Sequence, residues 1–172
     1  MDVDVEFREI TEWTTKDLLS LSSLFIAVVE AGASLGFLPP LSQEESLTYW
    51  KGVLNPDVRL LAVDHEGELA GTVQLQLCTR QNGMHRAEIA KLMVHPRCRR
   101  RGIARMLMAR VEQMAVQESR SLLVLDTRAG DPSNLLYRSL GYIEAGRIPQ
   151  YARSEDGNLD ATVFYYKLLQ RG

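Results

Sequence analysis

Leu92-Met93-Val94-His95-Pro96-Arg97-Cys98-Arg99-Arg100-Arg101-Gly102-Ile103-Ala104 joins an apolar, strand-like run to a basic turn and then to the start of a helix. The strand pattern stops at Pro96. Beyond Gly102, residues Ile103, Leu107, Val111 and Met114 recur on one helical face. A strand, a basic glycine turn and a helix N-terminus together make an anion site. The first-turn N–H groups have no partner inside the helix, and the helix dipole places partial positive charge at that end. Gly102 has no Cβ, so a phosphate can approach the backbone there. Arg97, Arg99, Arg100, Arg101, Arg105 and Arg110 taken alone read equally well as a solvated basic face. The glycine and the strand-to-helix setting favour a phosphate-bearing ligand.

The rest of the chain bounds what that ligand serves. With 172 residues, one domain over 1–172 is expected, large enough to bury a core without metal or disulfide. The 20 Lys and Arg are balanced by 22 Asp and Glu, for a net charge of −2. A nucleic-acid-binding domain usually carries a broad basic excess, so nucleic acid is not an expected partner. No apolar run approaches the roughly 20 residues of a membrane span, so no membrane partner is expected either. The acidic start Met1-Asp2-Val3-Asp4-Val5-Glu6 has no apolar signal core, and Cys78 and Cys98 form no ligand-spaced cluster. A cytoplasmic protein is expected, as a monomer or homodimer. His65, His85 and His95 show no metal spacing, so no metal is expected.

The element pattern predicts a strand over 3–10, then a helix capped by Thr14-Thr15-Lys16-Asp17 and running to Ala31. A loop follows at 32–37. Ser42-Gln43-Glu44-Glu45 opens a second helix that stops near Asn55-Pro56. Strands over 58–64 and 68–79 flank a tight turn at Glu66-Gly67. Asn82-Gly83 reads as a two-residue hairpin turn before a strand over 86–95. A long helix over 102–118, a short buried strand at 122–125, a helix over 132–140 and strands over 142–149 and 159–168 complete the chain. The early hairpins predict an α/β protein with a mixed, mostly antiparallel sheet flanked by helices.

Arg99-x-x-Gly102-x-Ala104, after Val94-x-Pro96, resembles the acetyl-coenzyme A pyrophosphate loop of the GNAT N-acetyltransferases. That resemblance implies the acyl-CoA N-acyltransferase fold, in which the strand before the loop splays from its neighbour and the cofactor, acetyl-CoA, enters the gap. Leu92, Met93 and Val94 would pair with the pantetheine arm through their backbone. Arg99, Arg100, Arg101, Gly102, Ile103, Ala104 and Arg105 would hold the pyrophosphate by amides and guanidinium groups.

Amine acetylation needs a group that accepts the amine's proton and one that stabilises the departing thiolate. Tyr137-Arg138-Ser139-Leu140-Gly141-Tyr142 is similar to the family's Tyr-x-x-x-Gly-Phe/Tyr segment, whose tyrosine is a candidate acid. Read locally, Tyr137 is more simply a core aromatic of an amphipathic helix; the Gly141-Tyr142 match favours the acid role. Glu88 stands in the apolar run Ala87-Glu88-Ile89-Ala90, and Asp126 ends a buried strand. Either is a candidate base if a cleft raises its pKa, and the sequence does not say which. Within the family the chain is similar to the tabtoxin-resistance acetyltransferases. The matching stretches are Gly32-Ala33-Ser34-Leu35-Gly36-Phe37, Asn82-Gly83, Arg86-Ala87-Glu88, Lys91-Leu92-Met93-Val94, Asp126-Thr127, Ala129-Gly130 and Tyr137. This implies Glu88 and Asp126 as the catalytic pair and a small-molecule amine as substrate, with an amino-acid-like toxin or antibiotic as the candidate. Ser34 and Phe37 are candidate acceptor-binding residues, the first for its hydroxyl and the second as a wall. Cys98 among arginines has a lowered-pKa rationale, but no His/Asp pair stands beside it to support a covalent route. Two other readings stay open: a peptide or protein amine as substrate, and a non-catalytic sensor that binds coenzyme A.

Overall fold

The placement of apolar residues along each strand dictates two helical layers on one sheet. The structure, a computed structural model, describes residues 4–170. The first expected strand is β1 (Val5–Ile10); Val3 lies outside the described residues. Thr14 caps α1 (Thr15–Glu30). Its Oγ1 accepts from the Asp17 N–H at 3.0 Å and donates to the Asp17 carboxylate at 2.8 Å, so the shorter Asp reaches the cap's hydroxyl and the expected capping box is only half made. Ser42 and Glu45 form the full box on α2 (Gln43–Lys51). β2 (Val58–His65) and β3 (Glu68–Leu77) meet at a turn where Glu66 and Gly67 both have positive φ, 53° and 79°. β4 (Arg86–Val94), α3 (Ile103–Gln117), β5 (Leu122–Arg128), α4 (Ser133–Ser139), β6 (Ile143–Arg153) and β7 (Leu159–Leu168) follow.

The strands form one mixed seven-stranded sheet, ordered β1-β2-β3-β4-β5-β7-β6. Every pairing is antiparallel except β4 with β5. Side chains alternate between two cores. Leu61, Val63, Leu75, Ile89, Leu123 and Leu125 pack with α3 and Tyr137 on one face. Leu60, Ala62 and Met93 pack with α1, Leu41 and Trp50 on the other. The parallel ladder joins only Arg86–Glu88 to Leu122–Val124, and beyond it the two strands part. On the other side of β4, the register with β3 slips between Thr72 and Gln74, and Lys91 takes a φ of 53° at this bulge.

Four boundaries differ from expectation. Asn82-Gly83 is not a two-residue hairpin turn. The connection spans 78–85, with a short 3-10 turn at Gln81–Gly83. The buried Arg120 guanidinium enters this loop and donates to the carbonyls of Cys78 and Met84, which holds it open. The second helix ends at Lys51 with Gly52 as its cap, rather than near Asn55-Pro56, because the Gly52 and Val53 N–H groups turn back to the Tyr49 and Trp50 carbonyls at 3.1 and 3.0 Å and tighten the last turn. β5 continues past Leu125 to Arg128, since it still pairs with β7 there. β6 runs through Pro149, which as an edge-strand residue leaves no ladder bond unmade toward a further strand.

Gly71 shows how tightly the sheet is packed beside the bulge. A Cβ there would meet the Met93 carbonyl oxygen at 2.7 Å and Leu107 Cδ1 at 3.1 Å. Gly71→Ala should destabilise the protein by about 1–3 kcal/mol, read as a lower urea midpoint with an unchanged m-value. An unchanged midpoint would show that the strands have room to move apart.

Candidate active site

The gap begins where the β4–β5 ladder ends. From Ile89 to Val94, the side of β4 facing β5 is unpaired, and Met93 and Val94 bond only to β3. That leaves a strip of free backbone donors and acceptors along Leu92, Met93 and Val94. The Met93 side chain is buried in the core, so its contribution to a ligand is through the backbone.

At the end of the strip the chain turns sharply. Arg100 and Gly102 both have positive φ, 60° and 76°, on either side of Arg101. Alternating backbone hand of this kind converges successive N–H groups on one point. The first hydrogen bond of α3 runs from the Met106 N–H to the Gly102 carbonyl, so the Ile103, Ala104 and Arg105 amides precede it. Nothing lies within 4 Å of a Cβ built on Gly102, which leaves its approach open. Two of the loop's arginines are tied to protein: Arg101 lies 2.8 Å from His65 Nε2, and Arg105 donates to Ser139 Oγ at 2.7 Å. Arg99 and Arg100 are exposed.

Glu88 and Asp126 are brought together across the gap. Glu88 pairs in register with Val124, two residues before Asp126, and both carboxylates lie on the face opposite the Ile89 and Leu125 core. Both residues are exposed to solvent, and their carboxylates are only partly desolvated by the strands beside them. Desolvation pushes the Glu88 pKa up, the like charge of Asp126 pushes it further, and Lys91 pulls it back. Asp126 is likewise raised by desolvation and opposed by Lys91. Desolvation in turn lowers the Lys91 pKa, against the pull of both carboxylates.

Tyr137 sits in the other layer. Its ring is buried and packs 6.0 Å from the rings of Tyr142 and Tyr165. Burial, with Asp126, Asp131 and Tyr165 nearby, raises its pKa beyond the usual phenol value, so the hydroxyl keeps its proton. The helix carrying it is anchored to β7 and β5: Tyr165 donates to Asn134 Oδ1 at 2.8 Å, and Asn134 donates to the Arg128 carbonyl at 2.9 Å.

Ser34 and Phe37 line a separate cavity of about 580 Å³, between the α1–α2 loop and the β6–β7 turn. Glu88 and Asp126 are not among its walls. Phe37 also packs edge-on against Phe25 at 5.2 Å and Tyr49 at 5.7 Å, so its ring belongs partly to the core. Lys91 links the two regions, near both carboxylates and bonded to the Leu35 carbonyl, and Arg128 is one of the cavity's walls. Neither carries a sequence signal of this position: Lys91 depends on a bulge, and Arg128 on chain segments far away in sequence. Among the described residues, no group of three or more His, Cys, Asp or Glu is arranged to hold a metal, and no helix is long and apolar enough to cross a membrane.

Comparison with known proteins bears on the family and the fold. The sequence profile of the Acetyltransferase (GNAT) family matches residues 25–142. An uncharacterized N-acetyltransferase from the hisH-hisA intergenic region of Azospirillum brasilense is 35% identical over 128 residues, covering 73% of this chain and 76% of that protein. Among solved structures, the ribosomal-protein-alanine N-acetyltransferase of Brucella melitensis superposes with a TM-score of 0.80 at 22% identity, covering 95% of this chain and 99% of its own. Salmonella typhimurium yncA, solved with its cofactor acetyl-CoA, superposes with a TM-score of 0.79 at 16% identity, covering 98% and 95%.

Proposed function

This chain belongs to the acetyltransferase (GNAT) family, and we propose that it transfers the acetyl group of acetyl-CoA to a primary amine on a small, amino-acid-like molecule. The observation that carries this reading is the gap between β4 and β5. It opens at Glu88, has two pKa-raised carboxylates on one face, and ends at a basic glycine turn. The residues fit acetyl-CoA: the unpaired edge of β4 suits the amides of a pantetheine arm, and the converging amides of 100–105 suit a pyrophosphate. Acetyl-CoA supplies an activated acetyl thioester. Glu88 or Asp126 takes the proton of the incoming amine, with Lys91 holding the pair in check. Tyr137 offers its proton to the departing sulfur from the opposite layer. Free Cys78 and Cys98 fit a reducing, cytoplasmic setting.

The likeness to tabtoxin-resistance enzymes and the compact cavity beside Ser34 and Phe37 support a small acceptor. The test is a screen of amines, including amino-acid-like toxins and an N-terminal alanyl peptide, read by release of free thiol. Turnover of small amines alone supports the reading. Turnover of the peptide alone replaces it with a peptide substrate, and coenzyme A binding without any turnover replaces it with a sensor.

Gly102→Val tests the cofactor side separately. A Cβ meets no protein atom there, but it stands where the phosphate must come, and a β-branched residue resists a φ of 76°. The Kd for acetyl-CoA should rise about tenfold by calorimetry, the equivalent of ~1.4 kcal/mol. An unchanged Kd would remove the pyrophosphate from this turn.

A further inference from the structure

The loop that walls the cavity is tied down by two cations, one from each of the strands that part. Lys91 on β4 donates from Nζ to the Leu35 carbonyl at 2.8 Å. Arg128 on β5 donates from Nη2 to the Gly32 carbonyl at 2.8 Å. Ala33, Leu35 and Phe37 of the loop pack on the core beside α1, but its backbone has few other hydrogen bonds. Gly32 and Ala33 bond back to the end of α1, but among the described residues no backbone–backbone bond holds residues 34–37. Arg128 reaches further: Nη1 donates to Ser154 Oγ at 3.0 Å and Nε to Asp131 Oδ1 at 2.9 Å. One guanidinium thus joins the α1–α2 loop, the β6–β7 turn and the β5–α4 turn, and it lines the cavity. Three nitrogens bonded in three directions need the rigid fork of arginine; a lysine ammonium on a flexible stem cannot reproduce it.

We propose that Lys91 and Arg128 are positioning residues that brace the Gly32–Phe37 loop across the gap, and so set which acceptors the cavity takes. The strands have parted beyond Glu88 and Val124 and cannot hold that loop by sheet pairing. Side chains from each bank hold it instead. The part of this inference that names the acceptor rests on the acetyl-transfer reading; the bracing itself does not.

Hydrogen exchange on the full chain, without ligand, tests the bracing in wild type, Lys91→Met, Arg128→Gln and Arg128→Lys. Hydrogen bonds from charged donors of this kind correspond to about a tenfold or greater change in a local opening equilibrium. The protected amides of the loop are those of Gly32 and Ala33, bonded to the Val29 and Val28 carbonyls, and they should therefore exchange about tenfold faster in Lys91→Met and Arg128→Gln. Arg128→Lys should not restore protection, and α3 should keep wild-type protection as proof of folding. Steady-state kinetics with the best amine from the screen should show an acceptor KM raised about tenfold in Arg128→Gln, with the acetyl-CoA KM within about twofold of wild type. Unchanged loop exchange in both variants overturns the proposal. So does an equal rise in both KM values, which marks general damage. If wild type acetylates no amine, the transfer reading fails on its own, and the exchange result alone decides the bracing.

Discussion

In a Glu88→Gln/Asp126→Asn double variant, kcat falls by about 10²–10⁴-fold while coenzyme A binds as it does to wild type. The size follows from what the pair does. An amine protonated near neutral pH cannot attack until a base removes its proton, and an ordinary carboxylate at about pH 4 is a weak base for that task. Desolvation in the cleft raises both groups, and the charge of Asp126 raises Glu88 further. The wild-type kcat profile should therefore climb with pH through a limb above the ordinary carboxylate range. The double variant should lose that limb. Comparing the two single variants names the base, since the one that removes it costs more. The same shifts carry a stability consequence. A carboxylate whose pKa is higher folded than unfolded binds its proton more tightly in the native state. Its ionisation therefore opposes folding above the folded pKa and has no effect below the unfolded one. Glu88→Gln should leave Tm unchanged at acid pH and raise it at neutral pH. Full activity in the double variant would assign the proton to solvent alone.

Tyr137→Phe should lower kcat by roughly 10–100-fold, less than the loss of the carboxylates. An alkyl thiol with a pKa of about 8.5 leaves tolerably well as a thiolate, so a proton donor helps it without being indispensable. Burial holds the Tyr137 hydroxyl protonated well past neutral pH. No alkaline loss of activity should come from its ionisation in the ordinary phenol range near pH 10. The substitution removes one oxygen from a ring that packs between Tyr142 and Tyr165, so the core keeps its shape. Tm and the Kd for coenzyme A should remain close to wild type. A kcat equal to wild type would return Tyr137 to a packing role and leave thiolate stabilisation to backbone amides.

The fold was largely readable because its signals are local. Thr14 with Asp17 and Ser42 with Glu45 cap their helices within one turn, and strand alternation sorts Leu61 and Val63 from Leu60 and Ala62 within a few residues. The two glycine turns mark the limit. Glu66-Gly67 makes the tight turn its chemistry predicts, because nothing intrudes on it. Asn82-Gly83 has the stronger turn signal and does not make one, because Arg120 arrives from beyond α3 and holds the loop open. The carboxylates were visible as polar residues at the edges of apolar runs. Their proximity followed only from the family resemblance, since it depends on where a parallel ladder stops.

The same division holds at the site. The basic turn from Arg99 to Ala104, with its positive φ at Gly102, is written in consecutive residues, because an anion site at a helix start needs only one turn of chain. The layers, the sheet's mixed character and the family follow from similarly short-range patterns. The parting of β4 and β5, the raised pKa values of Glu88 and Asp126, and the bracing of Gly32 and Leu35 by Arg128 and Lys91 exist only once distant segments are packed. Desolvation and cross-chain hydrogen bonds depend on what surrounds a residue rather than on what precedes it, so the three-dimensional arrangement alone produces them.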